Sequence, residues 1–389
     1  MHDGVLPLRD PSFTQLVFLM KGLTRKKCFF LNCNMPGKSF SFTKIVELPV
    51  VFAIILQRYT LYVMSNIDIS VILVVHNRAE SLPLCLTHLE HQTFPAARFE
   101  VIIVDDASDD ATFEVLQRHA EGAPMRIQVL HQDSGGPGVA RNVAIETAEG
   151  FWLLFLDQDM LAGPHLLERH VEAQERLGSQ TAVVGTIHRH PHLSLYALST
   201  RLMPGQPHTA PPEKTPLSFL DWNKANLSVP RRFFQEFGGF DTTARFACFD
   251  DAELAWRLIG HGIQAFSEHG ATAYVWREST LQARRINAYV QGYALYALEQ
   301  HIRSGEIRIR FGLDKSAFRH ALNTMLTPLM VQLCRTSQFN APYTRRAIPV
   351  ILGHDLYCGY KDAKLGRSPR EYDLECVDQL PEPATLKPE

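Results

Sequence analysis

The chain has 389 residues, 46% of them hydrophobic and 21% charged, enough apolar material for one large core with room for a smaller second unit. Its formal net charge is −2 and it has no long basic run, so the electrostatic footprint of a nucleic-acid binder is missing. Seven cysteines, an odd number with no CxxC pair, argue against a disulfide framework or a structural zinc site and fit a reducing compartment.

Residues 1–64 carry no clear strand or helix period. Their apolar stretch IVELPVVFAIILQRYTLYVM is interrupted by Glu47, Pro49, Gln57 and Arg58. The part between Leu48 and Leu56 is about half of the roughly 20 residues that a membrane span needs. Met64 opens MSNIDISVILVVHN, which reads like an ordinary protein beginning. The segment is therefore expected to be irregular and outside the folded unit.

From Ile69 the pattern becomes regular. The apolar runs ISVILVV, FEVIIVDD, MRIQVLH and GFWLLFLD alternate with helix-like segments at 80–91, 110–120 and 137–148. Alternating strands and helices predict an α/β fold, a mostly parallel central sheet flanked by helices. Val71 to Val75 and Val101 to Val104 are apolar without alternation, as strands buried on both faces are. Ligands of such sheets bind beyond the carboxyl ends of the strands. There the chain places His76, Asn77 and Arg78, then Asp105 and Asp106, then Asp157 and Asp159.

An aspartate after a strand often only caps the next helix, and Asp109 or Asp110 is expected to do so before ATFEVLQRHA. Asp157 and Asp159 differ, because MLAGPHLL delays the next helix beyond Pro164. Two carboxylates converging at a strand end repel unless a cation or a donor-rich ligand lies between them, and hard divalent ions accept both carboxylate and phosphate oxygens. The segment SGGPGVARNVAIETAEG is not a GxGxxG loop. It reads as a flexible entry to a packed helix, on which Arg141 and Asn142 are placed to reach a phosphate or ribose.

The stretches ISVILVVHNRAESLPLCL, FEVIIVDDASDDAT, GGPGVARNVAIETAEGFWLLFLDQDM and FGGFDTTARFACFDDAELAWRL resemble the successive motifs of family 2 glycosyltransferases with the GT-A fold, over residues 67–277. The resemblance implies a nucleotide-sugar donor, a Mn²⁺ or Mg²⁺ ion held by a DxD motif, and inversion at the anomeric carbon. It places the nucleobase at Asp106, with Val75, Asn77 and Glu80 beside it. Asp157 then faces the ribose or the metal, and Asp159 coordinates the metal.

In FDDAELAWRL the resemblance makes Asp251 the base and lets Asp250 contact the acceptor. Asp250 and Glu253 also read as a capping-box-like helix start, with Glu253 and Arg257 as an i,i+4 ion pair. This chain has Asp at Asp250 where many relatives have Glu. At ATAYVWREST some relatives have a histidine and this chain has Trp276 and Arg277, so His269 is the fallback metal ligand and Arg277 an alternative diphosphate contact. In DWNKANLSVPRRFFQEFGGFD the donor-sugar contact is expected at Asn226.

The expected organisation is an irregular segment 1–64, a catalytic domain 65–280, a helical extension 281–378 and a disordered tail 379–389. The extension either walls an acceptor cleft or lies on a membrane surface. The expected enzyme is a cytoplasmic or inner-face peripheral glycosyltransferase acting on a glycan, lipid-linked or small-molecule acceptor, with no nucleic-acid partner. A non-catalytic nucleotide-sugar-binding protein or a related nucleotidyltransferase is the alternative. The latter is disfavoured because HNRAESLPLCL lacks a glycine-rich basic loop.

Overall fold

The structure, a computed structural model, describes residues 33–35, 38–40, 67–133, 135–178, 180–190, 212–242, 248–276, 280–314, 317–336 and 342–368. The chain divides into two compact units, Met1–Asn66 and Ile67–Glu389. In the first, the described residues form a short antiparallel pair, Cys33–Met35 against Lys38–Phe40, in a segment whose sequence carries no period. The apolar stretch before Met64 and the tail 379–389 lie outside the described residues.

The second unit is built on an eight-stranded sheet: β1 (Ile69–Val75), β2 (Phe99–Asp106), β3 (Arg126–Gln132), β4 (Trp152–Asp157), β5 (Met160–Ala162), β6 (Thr181–Arg189), β7 (Asn226–Pro230) and β8 (Gln264–Val275), in the spatial order β3-β2-β1-β4-β7-β6-β8-β5. The first four strands are mutually parallel, as is the β6/β8 pair, while β7 and β5 run antiparallel to their neighbours. The expected mostly parallel sheet is thus a mixed one. β5 is a three-residue edge that the sequence pattern does not announce.

Successive strand side chains face opposite sides, and the core divides accordingly. Ile69, Val71, Leu73 and Val75 meet Leu82, Leu86 and Leu89 of α1 (Leu82–Glu90), Leu116 of α2 (Thr112–Ala120) and Leu166, Leu167 and Val171 of α4 (Leu166–Leu177). On the other face Ile72, Ile102, Val104 and Phe155 meet Ala140 and Ala144 of α3 (Pro137–Thr147), Phe233 and Phe234 of α5 (Arg231–Phe237) and Leu254 and Leu258 of α6 (Asp250–Gly260). Burial on both faces explains why β1 and β2 read as unbroken apolar runs. Register then aligns the strand ends: Val75 pairs with Asp105, Val74 with Asp157, and Asp106 with Gln132.

The C-terminal helices α7 (Leu281–Ile302), α8 (Gly305–Phe311), α9 (Ala317–Thr336) and α10 (Pro342–Lys364) extend the same core through Leu295, Leu298, Ile307, Ile351 and Leu356. Arg310 of α8 pairs with Asp221 at 2.6 Å. Helices α7 and α10 cross at two glycines. A Cβ on Gly292 would lie 1.8 Å from the Leu356 carbonyl oxygen, and one on Gly359 would lie 1.9 Å from that of Tyr289.

Alanine favours a helix interior over glycine by about 1 kcal/mol, yet Gly292→Ala should lower the unfolding free energy by about 1–3 kcal/mol through overpacking. Urea denaturation checks this. An unchanged or higher midpoint would contradict so close a crossing.

Candidate active site

The loops after β1 and β2 are laced together. The Asn77 amide donates to Ser108 Oγ at 2.9 Å, the Asp109 amide to Asn77 Oδ1 at 3.0 Å, the Arg78 amide to Thr112 Oγ1 at 2.7 Å and the Ala79 amide to Asp110 Oδ2 at 3.2 Å. Asn77 has φ of 51° and Ala107 of 57°, left-handed backbone that these bonds hold in place. Asp110 accepts the Thr112 amide at 2.9 Å, but the residue before α2 is Ala111 and no side-chain bond caps the helix, so the expected cap does not form. Partial burial opposes ionisation of Asp110, but hydrogen bonds from Thr112 and the Ala79 amide outweigh that and hold its carboxyl below the usual value.

Asp106 ends β2 nearly buried, 9% exposed. Its Oδ1 accepts from Gln132 Nε2 at 2.9 Å and from the Gly135 amide at 3.1 Å. The Asp106 carbonyl also meets His76 Nδ1 at 2.9 Å. The two donors on Oδ1 hold the carboxylate in one orientation at the strand end.

Between Asp157 and Asp159, Gln158 fixes the turn. Its Oε1 accepts the His76 amide at 3.0 Å, and its carbonyl accepts from Cys85 Sγ at 3.2 Å. The Asp159 carbonyl accepts the Trp276 amide at 3.0 Å, which ties this turn to the end of β8. Burial, with Asp159 close by, pushes the Cys85 thiol up to about 12, so Cys85 is a packing residue rather than a nucleophile.

Beside this turn lies a string of alternating charge. Arg141 of α3 reaches Asp157 at 4.0 Å and Asp250 at 2.8 Å, with its guanidinium over the Phe240 ring. Lys224 Nζ donates to Asp250 and lies 3.9 Å from Asp251 Oδ2. The Lys224 amide donates to Asp251 Oδ2 at 3.3 Å, and the Ala252 amide to Asp251 Oδ1 at 2.9 Å. A turn in which Asn223 Oδ1 accepts the Ala225 amide at 3.1 Å presents Lys224 to α6.

The string runs from wet to dry: the Asp157 side chain is 39% exposed, that of Asp251 14% and that of Asp250 6%. Burial raises the Asp251 carboxyl above its ordinary value, and Asp250 adds to this while Lys224 opposes it. Burial works against the Lys224 charge, but Asp251 and Asp250 together outweigh it and hold the ammonium protonated beyond its usual range.

The structure thus gathers Asp157, Arg141, Asp250 and Asp251, and sets Val75, Asn77 and Asp106 at the neighbouring strand ends. Glu80 lies exposed beside them, next to α1. Two residues do not join. Asn226 is fully buried in β7, where its carboxamide meets His170 Nε2 at 2.8 Å and donates to the carbonyls of Ala271 at 2.9 Å and Thr186 at 3.3 Å. Its polar atoms hold the sheet to α4, in place of the expected sugar contact. His269 sits exposed on the bulge of β8, 3.8 Å from Glu213, seven residues before the Trp276 amide that meets Asp159.

Asn142 is likewise committed, accepting the Phe240 amide at 2.8 Å and donating to the Phe240 carbonyl at 3.0 Å. Asp250 is not a cap, since no side-chain bond caps α6. It is the shared anion of Arg141 and Lys224, while the expected Glu253–Arg257 pair forms at 3.1 Å. Arg277 lies outside the described residues. Sequence reasoning missed Lys224 and Gln158. Their signal was faint: a lone lysine between two asparagines in DWNKAN, and the middle residue of DQD.

The two aspartates of α6 should respond oppositely to neutralisation. Asp250→Asn breaks a buried pair and should cost about 3–5 kcal/mol. A carboxyl raised in the folded state contributes stability that is full below its unfolded value and lost as pH rises through the folded value. Asp251→Asn should therefore be neutral or stabilising at pH 7, with the gain shrinking towards about pH 4, the ordinary carboxylate value. Urea unfolding of both variants across that range measures this, and a large loss with Asp251→Asn at pH 7 would contradict it.

Residues 70–236 match the profile of Glycosyl transferase family 2. The chain is 39% identical over 90 residues, 23% of its length and 16% of the relative's, to the poly(ribitol-phosphate) beta-N-acetylglucosaminyltransferase TarS of Staphylococcus aureus. It is 31% identical over 221 residues to validoxylamine A glucosyltransferase of Streptomyces hygroscopicus subsp. jinggangensis, across 50% of this chain and 52% of that one. The chain therefore spans about half the length, or less, of these relatives. The fold is similar to that of the mannosyltransferase PcManGT from Pyrobaculum calidifontis, solved with GDP-Man and Mn²⁺, with a TM-score of 0.54 and 17% identity over 82% of this chain and 95% of that one. The similarity to glycosyl transferase family 2 thus covers residues 70–236, on a GT-A fold.

Proposed function

We propose that the chain transfers a sugar from a nucleotide-sugar donor, UDP-linked by its resemblance, to an acceptor hydroxyl with inversion. The observation that carries this reading is the charge string: a half-exposed carboxylate at one end, Asp157, a buried carboxyl of raised pKa at the other, Asp251, and Arg141 with Lys224 fixing the span between them. The acceptor class is a glycan, a lipid-linked saccharide or a small molecule. The catalytic unit is residues 65–280, with 1–64 outside it and the extension 281–378, whose described helices run from Leu281 to Lys364, walling the acceptor cleft.

The donor set at the DQD turn fits a hard divalent cation. Asp157 and Asp159 would supply oxygen ligands, and among the described residues there is no group of three or more His, Cys, Asp or Glu side chains that could hold a metal by themselves. Two carboxylates leave positions for phosphate oxygens. Mn²⁺ or Mg²⁺ held there would neutralise charge on the diphosphate leaving group. Arg141 adds a fixed positive charge beside Asp157, and the Asp106 carboxylate, oriented by Gln132 and Gly135, receives the nucleobase. Asp251 accepts the proton of the attacking hydroxyl. Its raised pKa makes it a stronger base than a solvated carboxylate, and Lys224 opposes that rise.

A binding protein without catalysis would not need Asp251 to be desolvated, which favours the enzyme reading. No helix among the described residues is long and apolar enough to cross a membrane. The placement we propose is cytoplasmic and peripheral at an inner membrane face.

Asp159→Asn should abolish Mn²⁺-dependent UDP binding in calorimetry without unfolding the chain, and unchanged affinity would remove Asp159 from the metal site. Asp251→Asn should lower transfer by about 10²- to 10⁴-fold, the usual contribution of a positioned base, while leaving donor affinity near normal. Loss of affinity in proportion to rate would make Asp251 part of the donor site instead.

A further inference from the structure

Helix α9 has two faces. Its inner face packs: the His320 ring stacks on Tyr357 with centroids 3.5 Å apart, and Thr327, Val331 and Cys334 are buried. Its outer face carries Leu322, Met325 and Leu329, exposed to 42%, 78% and 59%. These positions recur at helical spacing and form one stripe. From Ala321 to Cys334 the sequence has no charged residue, and Arg319 and Arg335 bracket the run. Pro328 within the helix removes one amide donor, yet the turn holds, with Thr324 and Thr327 donating to the carbonyls of His320 and Asn323 at 2.9 and 2.7 Å.

The surroundings are basic. Residues 281–368 hold thirteen Lys and Arg against five Asp and Glu, a net of +8, in a chain whose total is −2, so the remainder carries −10. Each of the five carboxylates is already engaged by an arginine of the same region: Glu299 and Asp314 by Arg308, Glu306 by Arg310, Asp355 by Arg285 and Asp362 by Arg367. Within residues 281–368 every acidic side chain thus has an arginine partner, while residues 369–389, outside the described residues, add six Asp and Glu against two Lys and Arg.

We propose that the outer face of α9 docks on a bilayer containing anionic lipid, with Leu322, Met325 and Leu329 entering the headgroup boundary and the basic C-terminal helices facing the lipid charge. An apolar stripe flanked by cationic residues, on a helix that does not span, is the pattern of interfacial binding. Charge alone would serve a soluble polyanion, which has no use for three exposed apolar side chains. A second copy of the chain would have to bring another +8 region against this one, which opposes self-association through this face. The inference deepens the peripheral placement proposed above and does not depend on sugar transfer.

The test is co-sedimentation of the full chain with phosphatidylcholine vesicles that contain or lack phosphatidylglycerol, for the wild type and for Met325→Glu/Leu329→Glu. Binding to the anionic vesicles is expected, weaker by about tenfold or more on pure phosphatidylcholine and in the double variant. A milder pair, Met325→Gln/Leu329→Gln, with an unchanged thermal melt, guards against unfolding and should also weaken binding. Calorimetry with UDP and Mn²⁺ on the same variants should give wild-type affinity, which separates lipid docking from the donor site. The proposal is overturned by absence of binding to anionic vesicles, by equal binding of both variants, or by light scattering that finds a wild-type dimer made monomeric by the substitutions.

Discussion

The site depends on one buried ammonium. Lys224 lies between Asp250 and Asp251, two adjacent carboxylates at the start of α6 that would otherwise repel in a poorly solvated pocket. A helix N-terminus favours negative charge, but it does not compensate two carboxylates there by itself. With Lys224 in place, Asp250 is committed as the bridge to Arg141, and Asp251 is left with a single, longer cation contact. The same interaction therefore sets two chemically identical side chains apart, Asp250 as a strut and Asp251, the proposed base, as a carboxyl of raised pKa.

That division explains how distant chain segments hold one geometry. Arg141 comes from α3, Lys224 from the turn before β7, the aspartates from α6 and Asp157 from the end of β4. The buried strands of one sheet fix the height of Asp106 and Asp157, because their register is set by neighbours that are apolar on both faces. The charged string then fixes the lateral position of α6 against those strand ends. Burial has a cost, since the desolvation that raises the Asp251 carboxyl also destabilises its ionised form. A site tuned in this way trades some fold stability for reactivity.

Much of the frame was legible in sequence. β1 and β2 fall at 69–75 and 99–106, as their apolar runs specify, and α1, α2 and α3 begin within two residues of their patterned segments. Continuous burial writes a strong local signal. β5 was not legible because three residues at a sheet edge carry no period, and the reversed direction of β7 depends on partners outside its own sequence. Asp250 looked like a cap because Glu253 follows three residues later, whereas the group it pairs with, Arg141, is 109 residues away. Asn226 looked accessible in a polar stretch, but the histidine that buries it is 56 residues distant. The carboxylates were visible as chemistry; the cations that assign their roles were visible only in three dimensions.

The central claim, that Lys224 restrains the rise that burial imposes on Asp251, the proposed base, is tested most directly by the pH dependence of donor turnover. With wild type, the acid limb of the kcat/KM profile should titrate above the ordinary carboxylate value of about 4. In Lys224→Met the cation that opposes the rise is gone, so the limb should move further up in pH. A limb at the ordinary value, or one that stays in place when Lys224 is removed, would contradict the account.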